Sequence, residues 1–279
     1  KTSFFCMIYR KNNLCLMSDY KKTAPVLGGW LAPQDASEIY LDWCQKYLED
    51  DEIFKTFKAN QDYFKTFDVD PDHGGIYKQI VEEQFEFDRD EYNELLGRFK
   101  ENDSFGAPKT YDYDGHQFSP LTLRYIKDSF FIKSRLGDEP INRILEVGAG
   151  YGGLCKTLDV ILEFNEYYFV DLEPAVKVQH KYLQQFECLN DKKLVFIPTT
   201  VEDKVEDIDL FISNYSLSEC NFEVQLRYYD QYISQSKYVH IIYNYYTGDF
   251  NKFVDKLKVD FDVKITSDFN NKLIFARRK

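Results

Sequence analysis

The stretch Ile144-Leu-Glu-Val-Gly-Ala-Gly-Tyr-Gly-Gly153 reads as an apolar strand that ends in a glycine-rich turn and runs into a helix. Glycine reaches positive φ and puts no Cβ between backbone and ligand, so a nucleoside can lie against such a turn. Two chemistries share the pattern. Gly148, Gly150 and Gly153 satisfy G-x-G-x-x-G for a dinucleotide, and Gly148, Gly150 and Gly152 satisfy G-x-G-x-G for S-adenosylmethionine. Glu146, two residues before the first glycine, suits the ammonium end of S-adenosylmethionine and would repel a pyrophosphate. Asp171, in Phe169-Val-Asp-Leu-Glu-Pro174, follows the turn by about twenty residues, where a carboxylate can accept both ribose hydroxyls of either cofactor. The turn also lies in mid-chain, whereas a dehydrogenase normally begins with its fingerprint or reserves a large domain after it. These points favour S-adenosylmethionine and keep an NAD-dependent oxidoreductase as the alternative.

The elements that must position these residues follow from the spacing of apolar residues. Strands are expected at Arg143–Val147, Tyr167–Val170, Leu194–Ile197, Asp209–Ser213 and Tyr238–Tyr243, each followed by a stretch long enough to cross back. Phe261–Ile265 and Lys272–Ala276 alternate and are joined through Asn270-Asn271, a hairpin. The fold class is therefore α/β, a parallel Rossmann-like sheet closed by a terminal antiparallel hairpin. The chain is expected to divide into a helical region, 1–137, that covers the site and a cofactor-binding domain, 138–279. In the first region Asp35 or Ser37 is expected to cap a helix with Ile39, Trp43 and Tyr47 inward, and Phe54, Phe57, Phe64 and Phe67 continue the stripe. A break at Gly74-Gly75 should precede a helix over Ile76–Phe99, with Ile80, Phe85, Tyr92, Leu95 and Phe99 inward. The Gly-, Pro- and Asp-rich segment from Ser104 to Pro120 is too long for an ordinary connection and is expected to be a functional loop, followed by a helix over Leu121–Leu136.

The 279 residues are 44% hydrophobic and 17% aromatic, enough to bury a large core, and the net charge of −12 opposes nucleic acid and anionic membrane surfaces as partners. Six cysteines, at 6, 15, 44, 155, 188 and 220, form no Cys-x-x-Cys pair and read as reduced, buried thiols. No run is apolar enough to cross a bilayer and no signal peptide is evident, so a soluble, cytoplasmic protein is expected. The oligomeric state is left open.

Glu146-Val-Gly-Ala-Gly-Tyr-Gly152, Val170-Asp-Leu-Glu-Pro174 and the closing hairpin resemble the class I S-adenosylmethionine-dependent methyltransferases over residues 141–279. Ser213-Asn-Tyr-Ser-Leu-Ser-Glu219, Gly106-Ala-Pro108 and the helix start at Ser119–Tyr125 are similar to the sugar O-methyltransferase family. The resemblance implies that Glu146, Gly148, Ala149 and Gly150 line the methionine end, Asp171 the ribose and Leu172 the adenine. It implies too that Val201, Glu202 and Asp203 meet the adenine amino group and that Asn214 lies beside the transferable methyl. The substrate would be a small sugar or nucleotide sugar. A non-catalytic relative that only binds the nucleoside is the further alternative.

Methyl transfer from a sulfonium is an in-line displacement, and a hydroxyl acceptor must lose its proton as it attacks. Enzymes that methylate planar amines tend to place Asn or Asp followed by Pro-Pro and an aromatic after the fourth strand. Asn214-Tyr-Ser-Leu217 stands here instead, which points to oxygen. Glu219 is the first candidate for base, with a helix-dipole role as the plainer reading. His116, in Asp114-Gly-His-Gln-Phe-Ser119, is the second, as an imidazole on the segment expected to cover the site. Arg124 is a candidate for an anionic group, and Tyr215, Ser218 and Tyr245 for substrate contact. His240 is expected to be a core residue and His180 to face solvent. No Asp-Asp pair follows the fourth strand, so no metal is expected.

Overall fold

The computed structural model describes residues 33–60, 70–199, 204–244, 249–268 and 271–279. It divides into two compact units, one over 34–138 and 153–162 and the other over 139–152 and 163–279. Cys6, Cys15, Phe64, Phe67, Val201, Glu202, Asp203, Tyr245, Tyr246 and Asn270 lie outside the described residues.

The first unit contains α1 (Pro33–Glu49), α2 (Pro71–Gln84), α3 (Arg89–Phe99), a small hairpin of β1 (Tyr111–Tyr113) and β2 (His116–Phe118), α4 (Pro120–Leu136) and α5 (Gly153–Ile161). Asp35 and Ser37 do not cap α1 but lie inside it, because the helix already starts at Pro33, whose fixed φ suits a first helical position. Gly74-Gly75 do not break the next helix either. A Cβ on Gly74 would stand 2.3 Å from the Tyr113 hydroxyl, which donates to Pro71 O at 2.9 Å, so this glycine admits a ring to the helix surface. The break falls at Phe85–Asp88, where Asp88 caps α3 by accepting from the Asp90 and Glu91 N–H groups. The expected inner face is buried as predicted, Phe85 and Phe99 packing on Phe130 of α4.

The segment from Ser104 to Pro120 holds an ordered hairpin rather than one long loop. Asp114 and Gly115, both at positive φ, turn β1 into β2. Asp103 then accepts from Ser119 N, Ser119 Oγ and Thr122 Oγ1, each at 2.7 Å, and ties the hairpin's exit to the start of α4. Ser129 of α4 and Thr157 of α5 share a hydrogen bond of 3.0 Å.

The second unit is built on β3 (Arg143–Val147), β4 (Glu166–Asp171), β5 (Lys193–Pro198), β6 (Leu210–Asn214), β7 (Tyr238–Tyr243), β8 (Phe261–Asp268) and β9 (Asn271–Arg278). The sheet order is β5-β4-β3-β6-β7-β9-β8, parallel as far as β7, with β9 antiparallel between β7 and β8. This is the Rossmann-like methyltransferase sheet. Asn271 already pairs with Asp268, so the hairpin's connection is 269–270 and Asn271 belongs to the strand. Leu145, Val147, Phe211, Val239 and Ile241 point to one face and form a core with Tyr229 of α7 (Phe222–Gln231) and Phe253 and Leu257 of α8 (Phe250–Asp260). Strand alternation sends Ile144, Glu146, Tyr167, Phe169 and Ile212 to the other face. His240 shares that face and is wholly buried, and His180 on α6 (Glu173–Leu183) is exposed. Among the described cysteines Cys44 and Cys155 are buried, but Cys188 is exposed and Cys220 half-buried, because 188 sits in a one-turn surface segment after α6. No helix among the described residues is long and apolar enough to cross a membrane.

One buried charge in the first unit makes stability depend on pH. Lys58 is wholly buried beside Phe57, donates from Nζ to Asn102 O at 2.5 Å, and is pressed by Gly106, where a Cβ would stand 2.8 Å from Lys58 Cγ. Burial pushes its amine down from 10.5 to about 7, against a smaller upward pull from Asp103. The unfolded chain therefore holds this proton up to about pH 10.5 while the folded chain gives it up near 7, so stability rises with pH across that window. Urea melts at several pH values between 7 and 10 should show a rise in unfolding free energy that is reduced in Lys58→Met; parallel curves for the two proteins would rule the lysine out as its source.

Candidate functional site

The order of the sheet reverses at β3, whose successors in the chain lie first on one side, β4 and β5, and then on the other, β6 and β7. Open α/β sheets bind ligands at the carboxyl ends of the strands at such a switch point. Here those ends are held close. Gly148 takes φ +74° and Gly150 φ +57°, and the Gly148 N–H donates to Val170 O at 3.0 Å, which fixes the turn to β4. A Cβ on Gly148 would stand 2.1 Å from Ser216 Oγ, so the segment after β6 lies directly on the turn. Ser213, wholly buried at the end of β6, donates to Val147 O at 3.0 Å and accepts from Leu217 N–H at 3.1 Å. Tyr151 is buried edge-on to Tyr182 of α6, and a Cβ on Gly152 would meet Leu183 at 3.0 Å, which gives Gly152 a packing role.

Asp171 ends β4 with 9% of its surface exposed. Its Oδ1 accepts from Leu172 N–H at 2.8 Å, its Oδ2 from Gln179 Nε2 at 2.8 Å, and the Ala149 N–H of the turn donates to it as well. Burial pushes the carboxyl up from 3.8 to about 7, and the three donors pull the other way. Because the folded state keeps this proton longer than the unfolded chain does, the group's contribution to stability is lost as pH rises from about 4 to about 7. Leu172, half-buried, precedes α6 as its N-cap residue. Glu146 is buried, and the Tyr167 hydroxyl donates to its Oε2 at 2.7 Å.

Beyond β6, Asn214 and Tyr215 are half-buried. Tyr215 stands at φ +72°, ψ −42°, a conformation that L side chains rarely adopt, and its N–H donates to Ile242 O at 2.8 Å. Strain of this kind collects where a loop's shape serves a function. Ser218 is wholly buried, within hydrogen-bond reach of Tyr215 O and Asn244 Oδ1, and Asn244 Nδ2 donates to Glu219 Oε1 at 3.3 Å. Glu219 keeps open surface as a residue, yet the protein packed around its carboxyl pushes the pKa up, with Asn244 holding the rise back. Gln225, wholly buried, supports the segment from below by donating to Cys220 O at 2.9 Å and to the Tyr243 hydroxyl at 3.0 Å. Burial raises the Cys220 thiol to about 11, which leaves it a poor nucleophile. The Tyr228 phenol is pushed up first by burial and then by the charges of Cys220 and Asp171.

The turn, Glu146, Asp171, Leu172, Asn214, Tyr215, Ser218 and Glu219 thus share one unit. His116 and Arg124 belong to the other. His116 is half-buried opposite Tyr113 in the small hairpin, and Arg124 is half-buried on α4 with its guanidinium 5.8 Å from the Tyr125 ring centroid. Val201, Glu202 and Tyr245 lie outside the described residues. Sequence reasoning missed the roles of Ser213, Tyr167 and Gln179. Gln179 carried a signal: it is the polar member of the helical stripe Ala175, Val176, Gln179, Tyr182, Leu183, all of it buried. Tyr167 carried one too, because strand alternation puts it on the face of Glu146.

No family model matches the chain, and no curated protein matches it. Among solved structures the chain is similar to a SAM-dependent methyltransferase from Aquifex aeolicus, at 15% identity over 55% of this chain and 90% of that one, with a TM-score of 0.42. It is similar also to the pyocyanin biosynthetic protein PhzM, at 15% identity over 57% of each chain and a TM-score of 0.44. A third is the small RNA methyltransferase HEN1, at 13% identity and a TM-score of 0.46, where 62% of this chain spans 27% of the other. At such scores the likeness says nothing of activity, and the fold rests on the strand order and on the antiparallel β9.

Proposed function

We propose that the chain is an S-adenosylmethionine-dependent methyltransferase acting on an oxygen acceptor, a hydroxyl of a nucleotide-linked sugar or glycan precursor. The observation that carries the reading is Asp171, a desolvated carboxylate fixed at the end of β4 beside the glycine turn of the switch point. A carboxylate offers about four lone-pair directions, and three N–H donors leave room for a ribose hydroxyl, with a second sharing an oxygen. The site is acidic, with Glu146 in β3, Asp171 at the end of β4 and Glu219 in the short helix after β6, which fits a nucleoside that bears a cation and opposes a pyrophosphate. A dinucleotide fold has a further parallel strand in its sixth place, where β9 runs antiparallel here.

When bound, S-adenosylmethionine supplies a methyl group made electrophilic by its sulfonium. Glu146, Gly148, Ala149, Gly150, Asp171 and Leu172 would hold it, with Val201 and Glu202 at the adenine and Asn214 toward the methyl. Glu219 is the proposed base for the acceptor hydroxyl, oriented by Asn244, and its raised pKa makes it a better proton acceptor than an exposed glutamate. Tyr215, Ser218 and Tyr245 are the proposed substrate contacts. The Asn214-Tyr-Ser-Leu segment, without a Pro-Pro step, supports oxygen over a planar amine as acceptor. The sugar rests on the likeness of residues 213–219 to the sugar O-methyltransferases, and the net charge of −12 weighs against an RNA substrate.

Two measurements test these roles. Calorimetry should show S-adenosylhomocysteine binding that Asp171→Ala weakens by about 10- to 100-fold, the worth of hydrogen bonds to a charged group; affinity for NAD in its place would return the chain to the dehydrogenases. Turnover should then be followed by mass spectrometry with nucleotide sugars, free sugars and an RNA pool. Glu219→Gln should lower kcat by about 10²- to 10⁴-fold with little change in cofactor affinity. Methylation of the RNA alone would overturn the sugar assignment, and equal losses of rate and cofactor affinity would make Glu219 a structural residue.

A further inference from the structure

Gln179 is wholly buried on α6, and its amide nitrogen spends both of its protons inside the site, one on Gly150 O at 2.9 Å and one on Asp171 Oδ2 at 2.8 Å. Its Oε1 is buried with no hydrogen-bond partner. Flipping the amide would give that oxygen no relief: it would face a carbonyl oxygen and a carboxylate oxygen, both acceptors. A buried acceptor without a donor is destabilising, and one that persists calls for a reason. The reason here is geometric, since only the nitrogen can satisfy two acceptors that belong to different parts of the site. We infer that Gln179 is a positioning residue of the nucleoside site, an amide bridge that locks the glycine turn to the Asp171 carboxylate and keeps that carboxylate ionised for the ribose. The inference rests on the cofactor reading above and extends it to a residue that is not itself placed on the ligand.

The bridge acts through charge as well as distance. Asp171 is desolvated and titrates near neutrality, and the Gln179 donor is one of three groups that favour its ionised form. Removing that donor leaves burial less opposed, so the carboxyl should hold its proton to higher pH. A protonated carboxyl loses half of its capacity as a double acceptor, and affinity for a diol should fall in the pH range where the proton is retained. A residue that served packing alone would weaken binding equally at all pH values.

The test is calorimetric titration of the whole chain with S-adenosylhomocysteine at about pH 6, 7, 8 and 9, for wild type, Gln179→Met and Gln179→Glu, with folding checked by circular dichroism and thermal melts. Methionine keeps the length and removes both donors; glutamate keeps the shape and places a second acceptor against Asp171. The expected result is a loss of about 5- to 50-fold at pH 7 for the methionine variant that shrinks to about 2-fold or less by pH 9, as a shift of one or two pKa steps requires. The glutamate variant should show a steeper pH dependence, because two facing carboxyls share a proton. Wild-type affinity retained by the methionine variant at every pH, or a loss that is the same at every pH, would overturn the inference while leaving the cofactor reading intact. Failure of both variants to fold would also overturn it, by making Gln179 a structural residue. Absence of S-adenosylhomocysteine binding by the wild type would instead remove the cofactor reading and this inference with it.

Discussion

A carboxylate cannot be taken out of water unless donors replace the water, and at Asp171 that requirement organises the candidate site. Its donors come from three places that are distant in the chain: the turn after β3, the first residue after β4 and the interior of α6. The three meet because β3 and β4 are parallel neighbours, so the turn after one ends level with the last residue of the other. Parallel pairing forces a crossover, and the crossover after β4 is the helix that carries Gln179. The parallel sheet is thus what allows this acid to be dry and still close to neutral titration.

The other half of the switch point is held by different means. Between β6 and its short following helix the chain turns through Tyr215 at positive φ, which costs on the order of 1–3 kcal/mol for a bulky residue. Ser213 offsets part of that by tying β6 to β3 and capping Leu217, and Gln225 braces Cys220 from beneath. Only a bare Gly148 lets Ser216 approach as it does. Strain, hydroxyl latch and glycine together bring Ser218, Glu219 and Asn244 into one hydrogen-bonded group beyond the strand ends.

What could be read beforehand divides along physical lines. The parallel strands, the glycine turn, Asp171 and the closing hairpin were legible because each is local, a run of apolar residues or a fixed spacing, and their ends move by only a residue or so. The helical region was less legible because glycine and acid side chains are ambiguous punctuation. Gly74-Gly75 reads as a break but accommodates the Tyr113 ring, and Asp35 and Ser37 read as caps although Pro33 starts the helix earlier. The Ser104–Pro120 stretch reads as one long loop, since a three-residue strand leaves almost no periodicity to detect. In the site, Gln179 and Ser213 escaped notice because their roles are set by partners across the fold, and a polar residue on a buried stripe shows only that it needs such a partner.

The titrating groups of the second unit also point in one direction. In the proposed role Asp171 would have to be ionised to accept two hydroxyls, and burial pushes its carboxyl up to about 7. As the proposed base, Glu219 would have to be ionised to take a proton, and burial of its carboxyl pushes its pKa in the same upward direction. Both requirements are met together on the alkaline side of neutral. Folding stability opposes ionisation at Asp171, whose contribution to stability is lost by the time the carboxyl gives up its proton. If Asp171 holds the ribose as proposed, binding and ionisation are coupled at one carboxylate, and tighter binding of the nucleoside would extend the ionised form further below neutrality.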